Sequence, residues 1–446
     1  MNGDRLKGVG DVKSFRDPVH NLIAFGEDDQ LLIDLINTAE VQRLRRIRQL
    51  GLSNIVYPGA EHSRFVHSLG VAHLTRRFLD EDRAGEQTRG AYALREYRHL
   101  ALAAALLHDI GHGPFSHALE AVTGIRHERF TSAMIRSKKT EVHQVLEAYA
   151  SGFAEQVARL IEKDFPESRA IVKLLSSQLD MDRTDYLLRD ALMTGAGYGT
   201  FDVEWLLHVM RIGEVQGEPE IGLDLARGQS IAEDYIMCRY YMYLHVYFHR
   251  LTRSAEVQVE RTLARAAEVG ADLPGFPAMR ALLRGDLRMA EVNGVSAATA
   301  EWSVISDYLE LDDHLLWSAL RAFTRHEDPV LADLSQRLLN RHLFHSVDVH
   351  SMEEAERWLA RMGRIAKKKG LPAASYVIFD QAGSQAYKDS YLGSDEHDPT
   401  FEQIYLFDAS GNATELARQS FIVEAVKSRR ASVSRVLFPR EWLDEG

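Results

Sequence analysis

The sequence predicts a mainly α-helical protein, a long helical body followed by a smaller α+β module. Three observations predict it. From about Leu31 to about Val269 most segments return apolar residues at helical spacing. Short β-rich runs gather late, at Tyr376–Asp380, Ile404–Asp408 and Val436–Phe438. Gly370, Pro372, Gly383, Gly393, Pro399 and Gly411 punctuate those runs.

The elements follow in order. Ile33, Ile36, Val41, Leu44 and Ile47 carry an apolar stripe through an Arg-rich stretch. Arg43 and Arg46 are read as a solvated helix face. His99 to Leu107 is rich in Ala and Leu and reads as a buried helix, ending near Gly111-His112-Gly113-Pro114. Phe153–Phe165, Ser168–Leu175 and Glu233–Val269 read as helices, the last stopping at Gly270. Arg211–Leu225 alternates around Gly213, Gly217 and Pro219, which predicts a hairpin. The boundary falls near Ser351, giving a body of 1–350, with its chemical core at about 40–200, and a module of 351–446. The polar stretch Gly383–Thr400 reads as a long loop. Lys367-Lys368-Lys369 before Gly370 reads as a helix end favoured by the macrodipole.

Composition excludes several classes. Of 446 residues, 45% are hydrophobic and 26% charged, as in a folded globular protein. Net charge is −12, so nucleic acid is a poor main partner, while a small anion in a local basic pocket remains compatible. Cys238 is the single cysteine, which rules out an intrachain disulfide and a Cys-rich zinc site and points to a reducing cytoplasm. No apolar run reaches the length of a membrane span, and Met1–Val12 has no secretory core.

The body concentrates metal-capable side chains. His67, His108-Asp109, His112, His117 and His127-Glu128 are followed by Asp180, Asp182 and Asp185. Nitrogen and carboxylate donors together suit Mn, Fe, Zn, Ni or Co, and Mg less well. Such an ion lowers the pKa of a bound water and polarises a phosphoryl oxygen. His143, His208 and His397 are assigned to packing or solvent.

The ordered segments Phe15-Arg16-Asp17-Pro18-Val19-His20, Gln42–Ile47, Gln49-Leu50-Gly51, Tyr57-Pro58-Gly59-Ala60, His67-Ser68-Leu69-Gly70 and His108–His117 resemble the HD-domain superfamily. More narrowly, they are similar to the deoxynucleoside triphosphate (dNTP) triphosphohydrolases. The resemblance implies one divalent ion per subunit, held by His67, His108, Asp109 and Asp182. It implies His112, His117 and His127 along the phosphates as acids and bases, with His117 protonating the leaving 5′-oxygen and Glu128 orienting one histidine. It gives Arg64, Arg183 and Tyr186 to the triphosphate, Gln49 and Asp190 to the sugar 3′-hydroxyl, and Leu50 to the sugar face. It further implies a homo-oligomer, tetramer or dimer, acting on a nucleotide substrate.

Some positions depart from that pattern. Asn37 stands where a relative has a guanine-reading Asp. Lys13, Gln42 and Arg45 remain beside it as a regulatory nucleotide pocket with altered base choice. His249 falls at the position of a Tyr that excludes a 2′-hydroxyl, with Tyr247 or His245 as substitutes. Two rival readings therefore stand. One is an HD phosphohydrolase acting on an NTP, NMP, cyclic nucleotide or RNA end. The other is a nucleotide-binding regulator without catalysis.

Overall fold

In the computed structural model the described residues are 13–80, 94–115, 117–287, 291–292, 295–296, 302–385, 403–427 and 429–445. Met1–Val12, His397 and most of the loop expected at Gly383–Thr400 lie outside them.

The chain enters through a hairpin, Lys13–Asp17 against Asn21–Phe25. Helices Gln30–Asn37 and Ala39–Arg43 follow, separated at Thr38, whose backbone is extended. Ile36, Val41, Leu44 and Ile47 are fully buried, as their spacing predicts. Arg43 departs from expectation. It is buried rather than solvated, and its guanidinium donates to the carbonyls of Ile110, His112, Tyr308 and Leu311. Four backbone acceptors replace the water that burial removes. Arg46 stays half-exposed and pairs with Asp312 at 2.6 Å.

The predicted helices form at Arg98–Leu107, Phe153–Ile161 and Arg169–Leu175. The run expected as one helix from Glu233 to Val269 is two. Gln229–Met242 passes into a single π-helical stretch, Tyr243–Tyr247, and the chain turns extended at His249 before Arg250–Glu268. His249 caps the second helix through Nδ1, which accepts from Leu251 N at 3.3 Å. The helix ends before Gly270, whose φ is +64°.

The predicted hairpin is present as Met210–Val215 and Glu218–Asp224. Its sheet also recruits Tyr405–Phe407, parallel to Gly222–Asp224, and then Ala413–Glu415. The run at Ile404–Asp408 therefore completes a sheet of the body. The other two β-rich runs join a separate sheet, in which Arg430–Phe438 lies between His345–Asp348 and Ile378–Gln385. That sheet closes a second core with Leu334, Phe344, Met362, Tyr376 and Trp442. Among the described residues no helix is long and apolar enough to cross a membrane.

Candidate metal centre and its surroundings

The buried helix Arg98–Leu107 delivers His108 and Asp109 at its end, where the chain leaves the helix in a tight turn. His112 N donates to Asp109 O at 3.1 Å. The turn is pressed against the helix His127–Arg136. A Cβ on Gly111 would stand 2.2 Å from Thr131 N and 2.3 Å from His127 O, so only glycine fits. Thr131 Oγ1 accepts from Gly111 N at 3.0 Å and donates to His108 O at 3.1 Å, which fixes the exit.

His67, on the helix Arg64–Asp80, reaches the same point. Nitrogen and oxygen donors of His67, His108 and Asp109 lie within 4.8 Å of one another. Asp182, in the first turn of the helix Met181–Thr194, brings Oδ1 to 3.1 Å from His67 Nε2 and 3.5 Å from His108 Nε2. The four residues assigned as a metal set from the sequence therefore converge.

The donor chemistry fits a cation. His108 Nδ1 faces the carbonyl of Ala105 at 2.8 Å, and a carbonyl can only accept. In a neutral ring the lone pair is then on Nε2, which is buried and has no hydrogen-bond partner. His67 likewise turns Nδ1 to Asp185 and Nε2 to the cluster. Burial raises the cost of charge on Asp109, but His108, His112 and Arg64 hold its carboxyl well below the usual range. Asp182 is held low against its burial by the neighbouring rings of His108 and His67. Burial opposes a charged His67, yet Asp182 and Asp185 push its pKa up to about 10. A field that retains a proton so firmly also favours a metal ion.

His112 and His127 flank the centre with rings stacked 3.5 Å apart. Burial, then Arg64 and His127, keep the His112 pKa well below its usual value. His112 Nε2 lies 3.3 Å from Asp109 Oδ1. The carboxylate that orients His127 is Glu120, whose Oε1 is 2.5 Å from Nδ1. Glu128, expected to orient one of the histidines, lies 3.6 Å from the same nitrogen, and its oxygens pair with Arg126. Glu120 gave no signal in the sequence because it precedes His127 across a turn. His117 begins the helix His117–Thr123, and its side chain lies outside the described residues.

Arg64 is buried and pairs with Asp109. Its Nη2 approaches Gln49 O at 3.4 Å. Gln49 Oε1 is buried without a hydrogen-bond partner. Leu50 packs partly buried against the core. Arg183 donates to Ser177 O and pairs with Asp180, which caps the helix by accepting from Arg183 N at 2.7 Å. Tyr186 stands edge-on to Tyr247 at 6.2 Å. Asp190 is buried between His62 Nε2 and the Tyr247 hydroxyl, both at 2.8 Å. His62 was not singled out from the sequence. Tyr247, rather than His249, stands against Asp190. His249 packs on Tyr57 at 5.7 Å, and His245 is exposed and stacks on Tyr198 at 4.6 Å.

The four residues read as a regulatory pocket also meet. Lys13 donates to Asn37, Arg45 Nε to Gln42 Oε1 at 2.9 Å, and Gln42 to Ile36 O at 2.6 Å. The Arg45 guanidinium lies 3.6 Å over the Phe65 ring. Asn37 also borders a cavity of about 440 Å³ lined by Asp34, Thr38, Glu141 and Gln144.

Comparison with known proteins agrees with this geometry. The HD domain family matches residues 64–190. The chain is 39% identical to the uncharacterized protein YwfO of Bacillus subtilis over 438 residues, 98% of this chain and 94% of YwfO. It is 29% identical to the deoxynucleoside triphosphate triphosphohydrolase SAMHD1 of Gallus gallus over 299 residues, 59% of this chain and 47% of that protein. The crystal structure of a phosphohydrolase from Bacteroides thetaiotaomicron matches with a TM-score of 0.79 at 26% identity, covering 96% of this chain and 100% of that one. The matched segment contains the whole His67, His108, Asp109 and Asp182 cluster, and the chain belongs to the HD-domain family of phosphohydrolases.

Proposed function

We propose that the protein hydrolyses deoxynucleoside triphosphates to a deoxynucleoside and inorganic triphosphate. One observation carries the reading. The helix Met181–Thr194 bears Asp182, Tyr186 and Asp190 at four-residue spacing, so one face joins the metal cluster to the Asp190–Tyr247 pair. Eight residues of helix span about 12 Å, on the order of a nucleotide's reach from phosphate to sugar.

His67, His108, Asp109 and Asp182 would hold the ion. When bound, it supplies Lewis-acid polarisation of a phosphoryl oxygen and a more acidic water. Arg64 and Arg183 balance the charge of the triphosphate. Asp190 accepts a hydrogen bond from the sugar 3′-hydroxyl, and Tyr247 holds Asp190 and closes the sugar pocket. Water oxygen bonds to the α-phosphorus, the bond from phosphorus to the 5′-oxygen breaks, and a histidine gives that oxygen its proton. Among the described side chains, His127 is the one assigned to do so, because Glu120 fixes its ring through Nδ1. The Lys13, Asn37, Gln42 and Arg45 network is the place for a regulatory nucleotide. The similarity to SAMHD1, a dNTP triphosphohydrolase, supports the choice of substrate.

The test is incubation with each dNTP and NTP, singly and in mixtures, with Mn, Fe, Co, Ni, Zn or Mg, and chromatography of the products. Deoxynucleoside plus triphosphate is expected. Inorganic phosphate alone would assign a monophosphatase, and ribonucleotide preference would assign the NTP reading.

A further inference from the structure

The N-terminal hairpin carries a group of buried polar residues that the chemistry above does not use. Asp185 is fully buried one helical turn after Asp182. Its two oxygens serve three partners. Oδ2 lies 2.8 Å from His67 Nδ1 and 2.8 Å from Arg189 Nε. Oδ1 lies 2.6 Å from His20 Nε2 and 2.9 Å from Arg189 Nη2. Arg189, also fully buried, donates Nη1 to Asp17 Oδ2 at 2.7 Å.

Asp17 acts a second time. Its Oδ1 accepts from the backbone N–H groups of Val19 and His20, both at 2.9 Å. The same carboxylate thus grips Arg189 and shapes the turn that presents His20. Packing reserves the space. A Cβ on Gly70 would stand 1.9 Å from Asp185 Oδ1 and 2.5 Å from Arg189 Nη2.

We propose that Asp17 and His20 are positioning residues of the metal centre, acting through Arg189 and Asp185 to fix the ring of His67 with Nε2 toward the ion. The inference rests on the metal-site reading above. Its physical basis is that a carboxylate on the outer nitrogen of a metal-binding imidazole fixes the tautomer and raises the donor strength of the inner one. Asp185 delivers that effect only while it cannot rotate. Three buried donors hold it: His67 on one helix, His20 on the hairpin, and Arg189 four residues along its own helix and itself anchored by Asp17. Two carboxylates and one guanidinium also leave this set net negative beside the centre, which favours a cation.

The test measures Mn²⁺ affinity by titration calorimetry and by the Mn²⁺ paramagnetic resonance signal in the full-length protein. His20→Phe removes a donor to Asp185, and Asp17→Asn weakens the grip on Arg189. Each is expected to weaken Mn²⁺ binding about 10- to 100-fold. His20→Gln places an amide N–H near the position of Nε2 and is expected to recover most of the affinity. Thermal melts of the metal-free proteins separate the readings, because a purely structural role lowers the melting temperature without changing affinity. Wild-type affinity in folded His20→Phe and Asp17→Asn proteins would overturn the proposal. If Asp17→Asn fails to fold, the Phe and Gln pair at His20 decides alone. A wild-type protein that binds no divalent ion would instead remove the metal-site reading itself.

Discussion

Glu120 Oε1 lies 2.5 Å from His127 Nδ1, and the stacked ring of His112 places this pair beside Asp109. A carboxylate bonded to one imidazole nitrogen stabilises the ring when the other nitrogen carries a proton to be delivered.

Glu120→Gln is therefore expected to lower kcat about 10²- to 10⁴-fold, with metal content unchanged. Glu128→Gln should have a small effect, since its oxygens pair with Arg126. Steady-state kinetics with metal analysis checks both. Equal losses from the two variants would remove Glu120 from the relay.

Tyr247→Phe removes the hydroxyl bonded to Asp190. About 1 kcal/mol of lost hydrogen bonding predicts a several-fold weaker interaction with the sugar. The loss should appear as a higher KM, together with poorer discrimination against the ribonucleotide. His249→Ala should leave that discrimination intact, because His249 caps a helix and packs on Tyr57. A discrimination defect confined to His249→Ala would reverse the assignment.

Arg43→Met removes the guanidinium from four backbone carbonyls in a buried site, of which Tyr308 O keeps a bond from Leu311 N. Unpaired buried acceptors predict a loss of about 3 kcal/mol or more, read from the urea midpoint. A loss under about 1 kcal/mol would show that water or repacking replaces the guanidinium.

Glu220 is buried with Lys173 at 2.9 Å and Arg169 at 3.0 Å. Burial raises its pKa despite Lys173 and Arg169. A carboxyl whose folded pKa is raised binds its proton more tightly folded than unfolded. It therefore stabilises the fold below the unfolded pKa and loses that contribution as pH rises through the folded value. Lys173→Met removes the larger counter-charge and moves the folded pKa further up. The variant should lose stability more steeply than wild type as pH rises from the acid range toward neutrality. Parallel stability profiles would contradict the pairing.

The legible parts of the fold were those written in local pattern. The Ala/Leu run declared a buried helix, and Gly111 and Pro114 declared its end, so His108 and Asp109 could be placed before any coordinates. The hairpin at Met210–Asp224 was legible from Gly217, whose φ is +86°. The illegible parts depend on distant partners. Arg43 looks like a surface arginine until Tyr308 and Leu311 arrive from far along the chain. Tyr405–Phe407 reads as a strand, but nothing local says that it lies beside Gly222–Asp224. The break at Tyr243–Tyr247 has no Gly or Pro to announce it, and helical periodicity runs through it. Glu120, His62 and the roles of Asp17 and His20 are tertiary facts, since each acts on a residue from another element.

The most direct test of the central claim is hydrolysis of a dNTP in ¹⁸O-enriched water with the Mn²⁺-loaded protein, followed by mass spectrometry of both products. Attack at the α-phosphorus predicts one labelled oxygen in inorganic triphosphate and none in the deoxynucleoside. Label in the deoxynucleoside hydroxyl, or pyrophosphate or phosphate in place of triphosphate, would contradict it.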